Sequence, residues 1–351
     1  MAATKKKQQT KITIRQVAAA AKVSLSTVSR ALRNDPKANK ETRDRILKIA
    51  EELNYYPDSL AKALRQNKTN TIGIIFNDLN NPFYSEILSV IGERLNRTNY
   101  SMLISYSHYD IAQERANIIS MLSKRVDGIL ISPIDDESEN IKLLNRSKVE
   151  YVLIDCYPYY NNIGYVFSEH GKGATLATDY LISRGHERIL LMTGPPGRCM
   201  VGHFINGYTS ALKKHNIKVN KDLIVHAEDL SIESGYRTFK DILTGEGEIN
   251  GHLDFTAVVT ISDLLAIGIY KVANELGFRI PDDYSIIGYD NIELTSVLTP
   301  PLTTIHQPRK RIGIESLAML IHNIEHDDKE RKKLAFPPYL VKRGSVRAIN
   351  L

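Results

Sequence analysis

The 351-residue chain is 42% hydrophobic and 25% charged, as in soluble globular proteins, and it is too long for one ordinary domain core. No run reaches the roughly 18 to 20 apolar residues of a membrane span, and the cationic start MAATKKKQQTKIT lacks the apolar stretch of an export signal, so a cytoplasmic protein with no membrane contact is expected. Cys156 and Cys199 offer neither a disulfide framework nor a metal spacing.

Charge divides the chain before any motif does. Residues 1–70 hold 16 Lys and Arg against 6 Asp and Glu, a net of +10, whereas the remaining 281 hold 30 against 34, a net of −4. A small basic piece joined to a mildly acidic body is the footprint of a nucleic-acid-binding module, because neutralising phosphates supplies most sequence-independent affinity.

Within the basic piece, TIRQVAAAAKVSLSTVSRAL predicts two short helices with a break at Val23 and Ser24. Thr13 is an N-cap, and Ile14, Val17 and Ala18 share the first helical face. Ser24 caps the second helix, which turns Val28 and Leu32 inward and leaves Leu25, Ser26, Thr27, Ser29 and Arg30 outward. Such a Ser/Thr-rich helix alone is an ordinary surface helix, but KETRDRILKIAEELNYYP supplies a third helix closing a bundle through Ile46, Ile49, Ala50 and Leu53. The pattern is a helix-turn-helix domain over 11–56, whose second helix enters the major groove of double-stranded DNA. Ser24, Thr27 and Ser29 suit phosphate oxygens, Arg30 suits a guanine edge, and Leu25 and Ser26 suit a thymine methyl and a permissive hydrogen bond.

Next, YYPDSLAKALRQNKTN predicts a short helix opening at Pro57, with Leu60, Ala61 and Leu64 on one face, within a hinge over 57–70. A helix of this length is marginal alone and orders only when held. From Thr71 onward, apolar strands such as TIGIIF, DGILIS, RILLMT, FTAVVTI and YSIIGY alternate with amphipathic helices expected to start at Pro82, Ile111, Gly173, Phe204, Ile232 and Leu264. Continuous apolar strands between helices mean parallel sheets covered on both faces, and there are too many for one sheet of usual size.

Taken together, TIRQVAAAAKVSLSTVSRAL, ETRDRILKIAEELNYYPDSLAKALR, VDGILI, YLISRGH, IPDDYSIIGYDN and LTTIHQP resemble the lactose-repressor family of bacterial transcription regulators, from about Thr13 to Gly344. The later motifs are nearest in wording to its purine-repressor branch. One departure is Lys22, where the family has Gly before Val-Ser; a positive φ there costs on the order of 1 kcal/mol. The resemblance implies an α/β protein with an N-terminal all-α helix-turn-helix domain and hinge helix, then two doubly wound parallel-sheet subdomains of the periplasmic-binding-protein type over 71–351. Their expected bounds are about 71–168 with 300–326, and 169–299 with 327–351, with LTTIHQP and a last strand AFPPYLVKR crossing back between them. It further implies a homodimeric repressor on a palindromic operator. Thr13, Tyr55 and Ala61 join the DNA contacts, and Leu64 is the minor-groove wedge.

Ligands of open parallel sheets bind beyond the carboxyl ends of the strands. Those ends carry Asn77, Asp78, Phe83, Tyr84, Ser132, Asp155, Tyr157, the Gly194-Pro195-Pro196 loop, Asp229, Leu230, Ser262, Asp263, Asp290 and Gln307, with a helix cap as the alternative reading of Asp263. By the resemblance, Asp290 holds a small-molecule effector, Phe83 and Tyr84 are aromatic pocket residues, and Leu230 replaces another. Phe204, expected with Ser132, Asp155, Ser262 and Asp263 among the effector contacts, stands where sugar- and purine-binding members commonly carry Arg, and Ser168-Glu169 replaces an Asp-Asn pair. Losing that guanidinium counts against a standard hexose and leaves a sugar-like but atypical effector, a less polar ligand or a protein corepressor.

No enzyme is indicated and no cofactor is expected. GKGAT at Gly171 lacks the spacing of a phosphate loop, Cys199 and His203 lack an orienting third group, and His186 suits a helix–strand turn. A solute-binding receptor would need an export signal and no basic module, which is the reverse of this chain.

Overall fold

The computed structural model describes residues 12–56, 68–135, 138–157, 163–245, 253–326 and 331–349. The chain forms two units, residues 1–69 and 70–351. Among the described residues no helix is long and apolar enough to cross a membrane.

The first unit has three helices, α1 (Ile14–Ala21), α2 (Leu25–Leu32) and α3 (Lys40–Glu52), around Val17, Ala18, Ala21, Val28, Ala31, Ile46 and Ala50. The alanines let helices this short approach closely enough to exclude water. Between α1 and α2, Lys22 takes the left-handed conformation at φ 53°, and the Val23 N–H donates to the Ala18 carbonyl at 3.1 Å. The strain anticipated where the family has glycine is therefore present, and a backbone bond to the last turn of α1 helps hold it. Ser24 Oγ then accepts from the Thr27 N–H at 3.2 Å and starts α2.

The second unit begins with β1 (Thr71–Phe76), α4 (Pro82–Leu95), β2 (Ser101–Tyr106), α5 (Ile111–Ser123), β3 (Gly128–Ile131), α6 (Glu139–Arg146), β4 (Glu150–Ile154) and β5 (Gly164–Ser168). It continues with α7 (His170–Ser183), β6 (Ile189–Thr193), α8 (Cys199–Lys214), β7 (Ile224–His226), α9 (Ile232–Thr244), β8 (Ala257–Thr260), α10 (Asp263–Leu276), β9 (Ser285–Asp290) and β10 (Thr303–His306). It closes with α11 (Arg309–Glu325), β11 (Lys333–Phe336) and β12 (Tyr339–Val341). Two six-stranded sheets result, in the orders β11-β5-β4-β3-β1-β2 and β12-β10-β9-β8-β6-β7, parallel except where β12 meets β10. Every residue of β3, β6, β8 and β9 is buried, as the uninterrupted apolar runs require of strands covered on both faces.

The subdomain bounds expected from sequence need correction at two strands. Residues 303–306 pair with β9 in the second sheet, not with the first, and only the following helix α11 packs on α4, β3, β4 and β5. AFPPYLVKR, expected as one last strand, is split at Pro337-Pro338: Lys333–Phe336 pairs with β5 in the first sheet and Tyr339–Val341 with β10 in the second. Two prolines have no N–H to continue a ladder, so the chain leaves one sheet there and enters the other. The chain thus crosses between subdomains three times, at 168–170, 306–309 and 336–339. Three helices also start earlier than expected, at His170, Cys199 and Asp263.

His186 is buried and joins Thr256 Oγ1 at 2.9 Å to the Arg347 carbonyl at 3.2 Å, the turn-fastening role its place before β6 suggested. On one face of the second sheet, α7 and α8 cross so closely that a Cβ on Gly207 would lie 2.1 Å from the Gly171 carbonyl oxygen. Gly207→Ala should therefore force the helices apart and cost about 1–3 kcal/mol. A lower thermal midpoint at unchanged far-UV circular dichroism is expected, and an unchanged midpoint would contradict so close a crossing.

Candidate nucleic-acid interface and ligand cleft

In the first unit, the N-cap at Ser24 fixes which side chains of α2 face out. Leu25 is 44% exposed, Ser26 and Arg30 are exposed, and Thr27 and Ser29 are half-buried at the edges of the same face. Ser24 Oγ lies 2.8 Å from both Ser26 Oγ and Thr27 Oγ1, so three hydroxyls form one cluster at the helix N-terminus, where a phosphate oxygen is favoured. Arg30 Nε reaches back to the Ser26 carbonyl at 3.4 Å and Arg33 Nε to the Ser29 carbonyl at 3.0 Å, which aligns both guanidinium groups along the helix. Thr13 is exposed, and the Gln16 Oε1 accepts from its N–H at 2.8 Å and its hydroxyl at 3.1 Å. Tyr55 packs against the three-helix core, and Ala61 and Leu64 lie outside the described residues.

In the second unit, the strand ends of the two sheets face one another across a cleft, close enough for the Arg198 guanidinium of one half to lie 3.8 Å from the Tyr109 ring centre of the other. On the first-sheet side, Asn81 accepts from the Phe83 N–H at 2.9 Å and Pro82 begins α4, which fixes where Phe83 and Tyr84 stand. Tyr84 Oη lies 3.1 Å from Ser132 Oγ, and Asn77 Nδ2 donates to both at 3.4 Å while its Oδ1 accepts from Ser107. Asp155, at φ 57°, follows β4, and its Oδ1 lies 3.0 Å from His170 Nε2, out of line for a hydrogen bond.

On the second-sheet side, Asp290 ends β9 at φ 118°. Its Oδ1 accepts from Gln307 Nε2 at 2.6 Å and its Oδ2 from Ser262 Oγ at 3.3 Å, so the carboxylate is held by two side chains of its own half. Asp263 belongs elsewhere. Fully buried, it accepts from Thr304 Oγ1 at 2.6 Å and from the Ile292 N–H at 2.9 Å, fastening the loop after β9 to β10. The helix cap expected of it is made by Ser262, which accepts from the Leu264 N–H. Burial raises the Asp290 pKa well above the carboxylate range, and the charge of Asp263 raises it further.

Phe204 also departs from its expected place. It is fully buried and packs edge-on against Tyr289 at 4.9 Å, in the core of the second sheet and not on the cleft wall. The guanidinium missing at that position enters from Arg198, the N-cap of α8, whose side chain makes no cap bond and whose Nη1 is buried without a hydrogen-bond partner. Sequence reading placed the start of α8 too late to notice Arg198. Leu230 is 8% exposed and flanks Gly194, and Asp229 accepts from the Ser231 N–H at 2.8 Å.

Arg309 was missed as well. Although 4% exposed, it donates from Nε to Glu86 Oε2 at 2.6 Å, from Nη2 to the Asn291 carbonyl at 3.0 Å and from Nη1 to the Asp290 carbonyl. It thereby ties α4 on one side of the cleft to the end of β9 on the other. Among the described residues, no group of three or more His, Cys, Asp or Glu side chains could hold a metal ion.

Two family descriptions match the chain: bacterial regulatory proteins of the lacI family over residues 13–58, and periplasmic binding proteins and sugar binding domain of the LacI family over residues 69–344. The HTH-type transcriptional repressor PurR of Vibrio atlanticus (strain LGP32) is 32% identical over 339 residues, covering 96% of this chain and 99% of that protein. The ribose operon repressor of Escherichia coli (strain K12) is 32% identical over 346 residues, covering 95% and 99%. The crystal structure of a lac repressor dimer bound to operator and the anti-inducer ONPF superposes with a TM-score of 0.84 at 26% identity, covering 96% of this chain and 99% of that one.

The buried carboxyl of Asp263 gives a signature in stability. Burial raises its pKa from 3.8 to about 7, so the folded state keeps a proton that the unfolded chain releases. The stabilisation is complete below the unfolded value and is lost as pH rises through the folded one. Asn stays neutral throughout, so the stability of Asp263→Asn relative to wild type should increase from about pH 4 to about pH 7. Denaturation midpoints across that range check this, and a pH-independent difference would contradict it.

Proposed function

Because this chain belongs to the lactose-repressor family of bacterial transcription regulators, we propose that it represses genes from a palindromic operator and answers to a neutral, polyhydroxylated small molecule in its cleft. It is a sequence-specific, homodimeric DNA-binding regulator and not an enzyme. What remains to be assigned is which side chains read DNA and what the cleft holds.

The exposed face of α2 supports the first assignment. Arg30, aligned by the Ser26 carbonyl, offers a planar fork to a guanine edge, and Leu25 and Ser26 lie beside it for a neighbouring base. The hydroxyls of Ser24, Thr27 and Ser29, with Thr13 and Tyr55, position the helix on phosphates. Ala61 and Leu64 of the hinge enter the minor groove, with Leu64 as the wedge between base steps.

The second assignment rests on one observation above the others: Asp290, held by Gln307 and Ser262 at the end of its strand, lies near enough to a second acidic side chain, Asp155 of the other subdomain, to feel its charge. Carboxyl oxygens accept hydroxyl protons, and a vicinal diol offers two such donors to one carboxyl group. Phe83 and Tyr84, edge to face at 5.1 Å, present aromatic surface to the C–H face of a sugar ring, and Arg198 supplies a donor for a ring oxygen. The guanidinium whose absence at Phe204 counted against a sugar is thus supplied from the N-cap of the same helix. The name of the 32%-identical ribose operon repressor makes D-ribose the first ligand to test.

Arg30→Ala should weaken binding to a duplex that wild type binds specifically by about 1–3 kcal/mol and relax one base position. Equal affinities in fluorescence anisotropy would sink the assignment. In calorimetry, D-ribose should bind the full-length protein and fail to bind Asp290→Asn. Binding of hypoxanthine with D-ribose inert would overturn the polyol reading while leaving the DNA reading intact.

A further inference from the structure

One contact spans the cleft, and it pairs Arg198 with a residue that has no part in the assignments above. Tyr109 lies in the loop between β2 and α5 of the first subdomain, and the Arg198 guanidinium carbon sits 3.8 Å from the centre of its ring. Arg198 comes from the loop between β6 and α8 of the second subdomain. A guanidinium over a phenol face is attracted by the ring quadrupole, the more so where water is thinned out.

The loop holds the ring in place. His108 and Tyr109 are consecutive non-glycine residues in the left-handed region, at φ 50° and 58°. Such a pair persists only where its neighbours determine it. Here the Ser107 N–H donates to the Phe76 carbonyl at 3.0 Å, the His108 N–H to the Asn77 carbonyl at 2.8 Å and the Asp110 N–H to the Ser107 carbonyl at 2.9 Å. Asp110 then caps α5 through the Ala112 and Gln113 N–H groups. From the other side, Arg198 makes no cap bond to its own helix, and its Nη1, buried beside Gly194, has no acceptor among the described residues.

We propose that Tyr109 and Arg198 form a noncovalent latch across the mouth of the cleft. A ligand parts the pair on entry, and Arg198 settles back on Tyr109 with Nη1 donating to the bound molecule. The pair therefore selects for ligands with an acceptor at that point and sets how far the cleft stays closed without ligand. The latch rests on the geometry of the cleft and not on the identity of the effector.

The chain contains no tryptophan, so Tyr109→Trp places a single indole reporter at the latch and keeps an aromatic face for Arg198. In the full-length protein without ligand, Tyr109→Trp should emit at short wavelength and resist acrylamide. Adding Arg198→Met should red-shift the emission and raise the quenching constant by roughly twofold or more, because the cationic partner is gone. Equal quenching in the two variants overturns the latch. Should the indole disturb the loop, Tyr109→Phe and Tyr109→Leu answer the same question by hydrogen exchange. The latch predicts faster exchange at residues 194–198 in the Leu variant than in the Phe variant, and equal rates overturn it.

Discussion

The buried guanidinium of Arg309 is the interaction around which the second unit is organised. A buried charge that loses its partner is strongly destabilising, so Arg309 constrains every group it touches. Its partners are Glu86 on the first-sheet side and the carbonyls of Asp290 and Asn291 on the second-sheet side. Those two carbonyls belong to residues at positive φ, 118° and 57°. Strained backbone of this kind is kept where surrounding contacts over-determine it, and it concentrates at binding sites. The carboxylate proposed to hold the effector is thus mounted on a backbone that Arg309 connects to the opposite wall.

This arrangement explains how a small ligand could act on the whole molecule. Arg309 follows the crossing at 306–309, Gln307 on the same crossing holds Asp290, and His170 begins the helix after the crossing at 168–170 beside Asp155. Both cleft carboxyl groups therefore neighbour connections between the two subdomains. A ligand shifts the equilibrium between two arrangements only by its difference in affinity for them, and about 5.5 kcal/mol carries a two-state balance from 1:99 to 99:1. A ligand bridging Asp155 and Asp290 engages both walls, so its affinity depends on their separation.

Much of this was visible in the sequence, and the exceptions share a cause. Three short helices, their caps at Ser24 and their outward residues followed from local rules, as did the strands whose unbroken apolar runs require two covered faces. The Lys22 strain was legible because a positive φ is a property of one residue in one turn. What sequence patterns did not convey was non-local pairing. Residues 303–306 have the composition to join either sheet, and only their register with β9 decides. Arg198 and Tyr109 are separated by most of a subdomain in sequence, and nothing near either hints at the other. Asp263 was misassigned because a carboxylate at a strand end has the same pattern whether it faces a ligand or, as here, Thr304 and the Ile292 amide.

Selection of bound duplexes from a random pool by the full-length protein, followed by sequencing of the bound fraction, tests the central claim most directly. The account predicts enrichment of an inverted repeat whose half-sites lie about one helical turn apart, centre to centre, with Arg30→Ala losing preference at one position in each half. A bound fraction with no repeated half-site, from a protein that still binds D-ribose, would contradict it and leave a ligand-binding body without sequence-specific DNA recognition.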